Sequence, residues 1–430
     1  MDIFYSTDYT LQCVATGEEF DDSGWLLDCP TYDKPSLIRT KYAKKQLHIR
    51  NEHGLYKYRD WLPVRRPLDC QASHATYRSE GLARALGLQN LYITFNGYFP
   101  ERGATMTTCS FKECEAYAVC ARTDSNENRI LVVASAGNTA RAFAKVCSEN
   151  NIKLLLVVPE DNLDALWFNA PLNPKYVKLI ATAKGGDYYD AIALSEIVLS
   201  SPMFYAEGGA KNIARRDGMG TTILSAVAEI GRIPDYYFQA VGSGTGAIAA
   251  WEANLRLIAD GRFGSRLMRL MVSQNAPFLP IYNAWRANSR ELLPYDARSA
   301  RHDASLIDAK VLSNRRPPYS IAGGLYDALK ATKGDVLQVS NYEAYMAAQL
   351  FHKYEGIDIS PAAAVAVASL INATKSNQIE HNAPIMLNIT GGGEMRYKAE
   401  NEVFHLHPSL VFPLEPDKNE VIAKVEGLFL

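Results

Sequence analysis

Short turns rich in glycine and small polar residues follow three of the apolar runs in the sequence. They are Ser135-Ala-Gly-Asn-Thr139, Gly242-Ser-Gly-Thr-Gly246 and Thr390-Gly-Gly-Gly393. Small residues let backbone N–H groups approach an anion, and a helix that begins at such a turn adds a favourable partial charge. The Gly242–Gly246 turn therefore predicts a cradle for a phosphate group. For each of the three, a plain tight turn is the alternative interpretation.

The Gly242–Gly246 turn does not match the common nucleotide motifs. It is not followed by the Gly-Lys-Ser/Thr of a Walker loop, and its G-x-G-x-G spacing differs from the dinucleotide fingerprint. The next apolar run ends at Ser273-Gln274, without an acid that could hold a ribose. A cofactor with a single phosphate fits this turn better than a dinucleotide does.

Lys112 is the candidate nucleophile. It lies in Cys109-Ser-Phe-Lys-Glu113, at the start of a helix predicted to run to about Arg122. Between Phe111 and the apolar helix face, desolvation would lower the pKa of its amine and make it nucleophilic. A solvated lysine at a helix start is the alternative interpretation.

Alternating strands and helices are predicted to position these residues. The short apolar runs predict buried strands at Leu91–Phe95, Ile130–Ala134, Lys153–Val158, Val177–Thr182, Tyr236–Val241, Leu267–Val272, Val336–Val339 and Ile385–Ile389. Helical spacing predicts helices at Asn138–Glu149, Tyr188–Leu199, Gly246–Ala259, Tyr342–Tyr354 and Pro361–Ala373. Ser340 with Glu343 has the form of a capping box, and Asp187 can cap its helix. The fold class expected is α/β, with mostly parallel sheets covered by helices.

Composition limits the function classes. The chain has 430 residues and a formal net charge of −2, which gives no global electrostatic reason to expect nucleic acid or an anionic membrane as partner. No apolar run approaches the roughly 18 residues of a membrane span, and Met1–Thr10 lacks the apolar segment of a signal peptide. The seven cysteines are an odd number, thinly spread, which favours a reducing cytoplasm.

The first residues lack the strand–helix alternation and predict a small β-rich arm over 1–75. In this arm Cys13-Val-Ala-Thr16 and Cys29-Pro-Thr-Tyr32 look like halves of a zinc ribbon that have each lost a cysteine. Two thiolates do not close a tetrahedral site, so we expect no metal. Residues 76–125 and 221–430 are assigned to a large α/β lobe, and residues 126–220 to a smaller, mobile one.

Taken together, the order of these motifs resembles the fold-type II pyridoxal-phosphate enzymes, over about Tyr77 to Tyr397. The degenerate ribbon and Gly54-Leu-Tyr-Lys-Tyr-Arg-Asp-Trp-Leu-Pro63 are similar to the N-terminal part of threonine synthases. The stretch Phe95-Asn-Gly-Tyr-Phe-Pro-Glu-Arg-Gly-Ala104, followed by Thr108-Cys-Ser-Phe-Lys-Glu113, resembles the cysteate synthases of methanogenic archaea, a threonine synthase-like branch.

The resemblance implies a role for each motif. Lys112 would hold pyridoxal phosphate as a Schiff base and act as the catalytic base. Asn138 would contact O3′ of the ring, and Thr390 would hydrogen-bond its nitrogen. The cofactor phosphate would lie on the turn formed by Gly242, Ser243, Gly244, Thr245 and Gly246. The substrate carboxylate would be bound by Ser135, Gly137 and Thr139. For the leaving phosphate or the incoming sulfite we choose Arg102, with Arg315 and Arg316 as alternatives.

The implied reaction is β-replacement on O-phospho-L-serine, in which phosphate leaves and sulfite adds to give L-cysteate, a step towards coenzyme M. Threonine synthase acting on O-phosphohomoserine, a sulfhydrylase that uses sulfide, and a non-catalytic pyridoxal-phosphate-binding homologue are the alternatives. Threonine synthases usually continue Ser-Phe-Lys with Asp-Arg, whereas Glu113-Cys114 follows here. If these residues lie near the reacting carbon, they speak against phosphohomoserine. The resemblance also implies a homo-oligomer.

Overall fold

Strands and helices alternate through most of the chain. The computed structural model describes residues 6–135 and 137–430. The strands are β1 (Tyr9–Cys13), β2 (Glu19–Phe20), β3 (Ile38–Tyr42), β4 (Ala75–Arg78), β5 (Asn90–Phe95), β6 (Tyr98–Phe99), β7 (Ala104–Thr105), β8 (Ile130–Ala134), β9 (Leu154–Pro159), β10 (Trp167–Phe168), β11 (Val177–Thr182), β12 (Phe204–Ala206), β13 (Tyr236–Ala240), β14 (Arg269–Asn275), β15 (Asp335–Val339), β16 (Pro384–Ile389), β17 (Phe404–His405) and β18 (Leu410–Phe412).

The helices alternate with these strands. They are α1 (Gly81–Leu86), α2 (Lys112–Arg122), α3 (Asn138–Glu149), α4 (Tyr188–Val198), α5 (Ile213–Ile230), α6 (Thr245–Asp260), α7 (Pro280–Arg286), α8 (Ala297–Leu306), α9 (Leu325–Ala331), α10 (Asn341–Glu355), α11 (Pro361–Lys375), α12 (Glu394–Glu400) and α13 (Lys418–Glu426). The six helices that the sequence pattern predicted (α2, α3, α4, α6, α10 and α11) have bounds within two residues of the expected ones. Both predicted caps form, since Ser340 with Glu343 and Asp187 with Asp190 make capping boxes.

The larger sheet has the strand order β15-β14-β13-β16-β5-β4, and only the β4–β5 pair is antiparallel. Its strands are apolar on both faces because helices cover both. Phe238 of β13 packs into the core with α10 and α11. Its neighbour Tyr237 points the other way, into the core with α5, α6 and α9. This alternation explains why the strand reads as one continuous apolar run.

The smaller sheet is parallel throughout, in the order β12-β8-β9-β11-β18. Leu131 and Val133 of β8 pack against α2 and α3 on one face. Ile130 and Val132 pack against α4 and α13 on the other face. Two mostly parallel sheets, each covered by helices, confirm the predicted α/β class. The expected β-rich arm is present as the antiparallel sheet β2-β1-β3.

The predicted lobe boundaries differ from the structure at two places. The boundary between residues 220 and 221 falls inside α5, which runs without a break from Ile213 to Ile230. The C-terminal strand β18, assigned to the large lobe, pairs instead with β11 of the smaller sheet. Strand β18 has only three residues, of which Phe412 alone is buried, so it carries no strong sequence signal. The mobility of the smaller lobe stays a prediction.

Candidate active site

Lys112 is the first residue of α2 and follows a loop that is bonded to the carboxyl end of β16. Phe111 donates its backbone N–H to the carbonyl of Thr390 at 3.0 Å, and Gly392 donates to the carbonyl of Cys109 at 3.1 Å. These bonds place two predicted site residues, Lys112 and Thr390, on neighbouring segments. The carboxyl ends of parallel strands are where α/β folds build ligand sites.

A cavity of about 640 Å³ opens beside Lys112, whose side chain is 21 % exposed. Burial lowers the pKa of the Lys112 amine, and the nearby carboxylate of Glu115 partly opposes that shift. The Lys112 Nζ lies 3.1 Å from Glu115 Oε2 and 4.8 Å from the ring centre of Phe111. The direction of this pKa shift agrees with the desolvation expected from the sequence, and the reactivity of the amine stays a prediction.

Behind Lys112 lies a row of buried ion pairs. Glu115 accepts from Lys112 on one side and lies 3.1 Å from Nη2 of Arg215 on the other. Nε of Arg215 donates to Glu207 at 2.9 Å. Burial raises the pKa of the Glu207 carboxyl, and the Arg215 guanidinium opposes this shift. These four charges alternate in sign, so each buried charge has an oppositely charged partner.

Sequence reasoning missed Glu115, Arg215 and Glu207. A signal for Glu115 was present, since it lies three residues after Lys112 on a predicted helix and therefore on the same face. Arg215 and Glu207 come from parts of the chain where no element was predicted. No local pattern connects them to α2.

The Ser135–Thr139 loop joins β8 to α3 and lines the cavity with Ser135, Gly137, Asn138 and Thr139. Residue 136 of this loop lies outside the described residues. The Ser135 hydroxyl oxygen accepts from the backbone N–H of Gly137 at 3.0 Å and of Ala140 at 3.1 Å. Gly137 has φ +143°, and a Cβ there would lie 2.8 Å from Cβ of Ala165. Any larger residue would push the loop out of this position.

The Gly242–Gly246 turn, called the phosphate turn below, follows β13 and includes the first two residues of α6. Gly244 has φ +78°, and a Cβ added to it would come within 2.7 Å of Leu325 Cδ2. A Cβ on Gly242 would come within 2.9 Å of Leu312 Cα. Ser243 and Thr245 line the cavity, and their hydroxyl oxygens are 2.8 Å apart. Small residues at the start of a 16-residue helix, with hydroxyls beside them, fit a phosphate group.

Besides Lys112, four cationic residues line the cavity among the described residues: Lys211, Arg215, Arg315 and Arg316. Arg315 pairs with Asp187, the cap of α4, and both Arg315 and Arg316 lie over the ring of Tyr189, at 4.9 and 5.0 Å from its centre. The number of cationic residues suits a reaction in which both the leaving and the entering group are anions.

Arg102, the first choice for substrate binding, is not brought to the cavity. It ends a short 3-10 turn, Pro100–Arg102, and its exposed guanidinium lies 4.5 Å from the ring centre of Tyr77. It is not among the residues that line the cavity. The Arg102 side chain packs on the ring of Tyr77 in β4 and therefore does not reach the cavity. The structure favours the alternatives Arg315 and Arg316, which do line it.

Glu113 and Cys114, the departures from the threonine synthase pattern, point into the protein interior. Glu113 is buried and accepts from the backbone N–H of Thr108 at 2.5 Å. Cys114 Sγ lies 3.7 Å from Nδ1 of His74. Neither lines the cavity, so these two residues carry no argument against phosphohomoserine.

Comparison with known proteins decides the family. Residues 78–391 match the family model described as "Pyridoxal-phosphate dependent enzyme". The chain belongs to this family. It is 47 % identical over 419 residues to the cysteate synthase of Methanocella arvoryzae, covering 97 % of this chain and 99 % of that one. It is 46 % identical over 404 residues to the cysteate synthase of Methanosarcina acetivorans, covering 94 % and 96 %. The resemblance drawn from the motifs is confirmed.

Solved structures of pyridoxal-phosphate dependent enzymes share the fold. Maize serine racemase superposes with a TM-score of 0.57 at 13 % identity, covering 76 % of this chain and 91 % of that one. Threonine deaminase isoform 2 from Solanum lycopersicum gives 0.54 at 17 % identity, covering 84 % and 97 %. In the described part of the chain, no helix is long and apolar enough to cross a membrane.

Proposed function

We propose that the chain replaces the phosphate of O-phospho-L-serine with sulfite, giving L-cysteate and inorganic phosphate. The single observation that carries this proposal is the cavity beside Lys112, which combines a pKa-lowered amine with a cluster of cations. Both substrates and both products are anions, so such a cavity suits all four. The curated relatives named cysteate synthase support the choice of substrates.

Pyridoxal phosphate, when bound, supplies an electron sink for the pair left at Cα. We assign its phosphate to Gly242, Ser243, Gly244, Thr245 and Gly246, its O3′ to Asn138 and its ring nitrogen to Thr390. The hydroxyl of Thr390 is neutral and does not force the ring nitrogen to be protonated. This milder electron sink favours prompt elimination, which is what a replacement reaction needs.

The proton transfer is assigned to Lys112. Its amine takes the Cα proton of phosphoserine, the Cβ–O bond breaks and phosphate leaves with the bonding pair. Sulfite then forms the Cβ–S bond, and Lys112 returns a proton to Cα. Glu115 holds the ammonium of Lys112 between these two transfers, since it lies 3.1 Å from Nζ.

Substrate orientation is assigned to the two sides of the cavity. Ser135, Gly137 and Thr139 bind the substrate carboxylate at the start of α3, where backbone N–H groups favour an anion. Arg315 and Arg316 bind the leaving phosphate and the entering sulfite. Charge-assisted bonds from a guanidinium suit both tetrahedral phosphate and pyramidal sulfite.

A substrate panel tests the proposal. Purified holoenzyme is given phosphoserine with sulfite, phosphoserine with sulfide, or phosphohomoserine alone, and both phosphate and the amino acid product are measured. We expect cysteate with equimolar phosphate from the first mixture. Threonine formed from phosphohomoserine, with no product from phosphoserine, would overturn the proposal, as would a protein that binds the cofactor and turns over none of these.

We also propose that the chain forms a homo-oligomer and works in the cytoplasm. Tyr342, Tyr345 and Met346 of α10 are 72 %, 60 % and 48 % exposed, and their spacing puts them on one helix face. The seven cysteines are free and buried, which suits a reducing compartment. Light scattering on the wild type and on Tyr345→Asp tests the oligomer. A wild type of monomer mass would contradict it.

A further inference from the structure

A second cavity, of about 340 Å³, lies between the N-terminal arm and the larger lobe. Its walls come from Arg39 and Tyr42 of β3, from Asp217 of α5, and from Glu252 and Arg256 of α6. None of these residues lines the cavity beside Lys112. We call this space the arm cavity.

The carboxylate of Asp217 in the arm cavity is fully used within the protein. Its Oδ1 lies 2.7 Å from Nη1 of Arg256. Its Oδ2 accepts from the hydroxyls of Thr40 at 2.5 Å and Tyr42 at 2.6 Å. Asp217 therefore neutralises one guanidinium and has little capacity left to bind a cation.

Glu252 is neutralised in the same way, because Arg39 Nε reaches its Oε1 at 3.1 Å and Arg216 Nε reaches its Oε2 at 2.8 Å. Two N–H groups of the cavity arginines are left over. Nη2 of Arg39 and Nε of Arg256 are buried and have no hydrogen-bond partner in the protein. A buried donor without an acceptor is unfavourable, so a ligand that accepts from these two groups would bind favourably.

Three lysines at the mouth add to this positive charge: Lys41, Lys44 and Lys45. Lys41 and Lys44 have carboxylate partners, Glu19 at 3.6 Å and Asp60 at 3.0 Å. Nζ of Lys45 donates to the carbonyl of Tyr42 at 2.8 Å and leaves its charge uncompensated. Among the described lining residues, cations outnumber carboxylates.

We propose that the arm cavity binds a small molecule bearing a tetrahedral oxyanion, either a phosphate or a sulfonate. Such a group offers three acceptor oxygens to the unpaired N–H groups of Arg39 and Arg256. Guanidinium groups recognise oxyanions of this kind, and the volume lies in the range of small-molecule sites. The carboxylates of Glu252 and Asp217 hold Arg39 and Arg256 in place. They do not neutralise the positive charge of the lysines at the mouth of the cavity.

The arm cavity is joined to the Lys112 cavity by two helices. On helix α6, Thr245 of the phosphate turn and Arg256 of the arm cavity are about 16 Å apart along the helix axis. Helix α5 carries Arg215 into the first cavity and Asp217 into the second. The arm cavity is nevertheless separate from the catalytic groups. Binding of an oxyanion in it does not depend on which reaction Lys112 performs.

Binding of selenate to the holoenzyme tests the proposal. Selenate is a tetrahedral dianion that can be located by its anomalous scattering. Isothermal titration at low salt is expected to show a selenate site, distinct from any in the Lys112 cavity, whose affinity falls at least tenfold in Lys41→Ala/Lys45→Ala. Lys34→Ala, which removes an exposed lysine elsewhere on the arm, is the matched control and should bind like the wild type. Crystals soaked in selenate should show an anomalous peak within hydrogen-bond distance of Arg39 Nη2 or Arg256 Nε.

Arg316→Ala separates the two cavities, since it removes a cation only from the Lys112 side and should leave this binding unchanged. Competition of selenate by inorganic phosphate and by methanesulfonate then decides between phosphate and sulfonate. Unchanged affinity in Lys41→Ala/Lys45→Ala, or selenate found only beside Lys112, would overturn the proposal. Failure of the substrate panel would not, because binding is measured without turnover.

Discussion

At the scale of single residues, the amine of Lys112 is balanced between two opposing influences. Burial lowers its pKa, whereas the carboxylate of Glu115 at 3.1 Å raises it. The neutral amine is the nucleophile, so the lower the pKa, the larger the reactive fraction at a given pH. Glu115 thus stabilises the protonated form of Lys112, which can return a proton, and lowers the fraction of neutral amine that can act as nucleophile.

Glu115→Gln tests this balance. Removal of the carboxylate charge lowers the pKa of Lys112 further, so the apoprotein should capture pyridoxal phosphate at lower pH than the wild type. The capture rate is followed by absorbance across a pH series. Glu113→Gln is the matched control because Glu113 is equally buried in α2 and does not line the cavity. If neither Glu115→Gln nor Glu113→Gln changes the pH dependence of the capture rate, Glu115 does not set the pKa of the Lys112 amine.

The anion-binding assignment is also a claim about single residues. Arg315→Gln should raise the KM for phosphoserine by roughly 10-fold or more, since a hydrogen bond to a charged group contributes about 1.5–3 kcal/mol. Arg102→Gln should leave KM unchanged, because its guanidinium lies over Tyr77 away from the cavity. Steady-state kinetics on both variants check this. A larger increase in KM for Arg102→Gln than for Arg315→Gln would show that Arg102 binds the substrate.

At the scale of elements, the phosphate turn depends on glycine for two different reasons, and each can be measured. Gly244→Ala combines a left-handed backbone with a contact of 2.7 Å to Leu325. Gly231→Ala, at the end of α5, has nearly the same φ of +79° with nothing within 4 Å. Gly231→Ala should lower the free energy of unfolding by about 1–2 kcal/mol, and Gly244→Ala should lower it further because the added Cβ overpacks against Leu325. Only Gly244→Ala should also weaken cofactor affinity, by equilibrium titration, and equal affinities would contradict the cradle.

The elements that sequence predicted are those with a strong local pattern. Helix α3 has the predicted bounds, and the strands β8 and β11 do as well, because their apolar runs end at clear turns. Helix α5 was not predicted. It is buried on most sides and contains Gly218, where a Cβ would lie 2.2 Å from the carbonyl of Cys114 on α2. Close helix packing selected that glycine, and packing between distant segments is not visible in a local pattern.

At the scale of the whole molecule, the site lies where the two lobes meet. The motifs predicted the turns after β8 and β13, whose residues line the cavity, since each turn follows a strand of recognisable pattern. That these turns bind the cofactor stays a prediction. The ion pairs behind Lys112 were not predicted, because Glu115, Arg215 and Glu207 meet only after α2, α5 and the smaller sheet have packed. Arg315 and Asp187 join the lobes across the cavity.

The Arg315–Asp187 pair gives a prediction at this scale. Asp187 competes with the substrate for Arg315, so Asp187→Asn should lower the KM for phosphoserine, while asparagine still caps α4. As the control, Arg129→Gln removes an ion pair of 2.7 Å to Glu127, away from Asp187 and from the residues that line the cavity. It should leave KM unchanged. An increase of KM in Asp187→Asn would show that the pair assists binding instead.

The central claim is that Lys112 removes the Cα proton while sulfite replaces phosphate at Cβ. The most direct measurement is mass spectrometry of the cysteate formed from unlabelled phosphoserine and sulfite in D₂O. Proton exchange on the Lys112 amine predicts one deuterium at Cα in the product, and Lys112→Ala should form no cysteate, whereas the exposed-lysine control Lys353→Ala should match the wild type. Cysteate that keeps its original Cα hydrogen, or that forms at the wild-type rate without Lys112, would contradict the account.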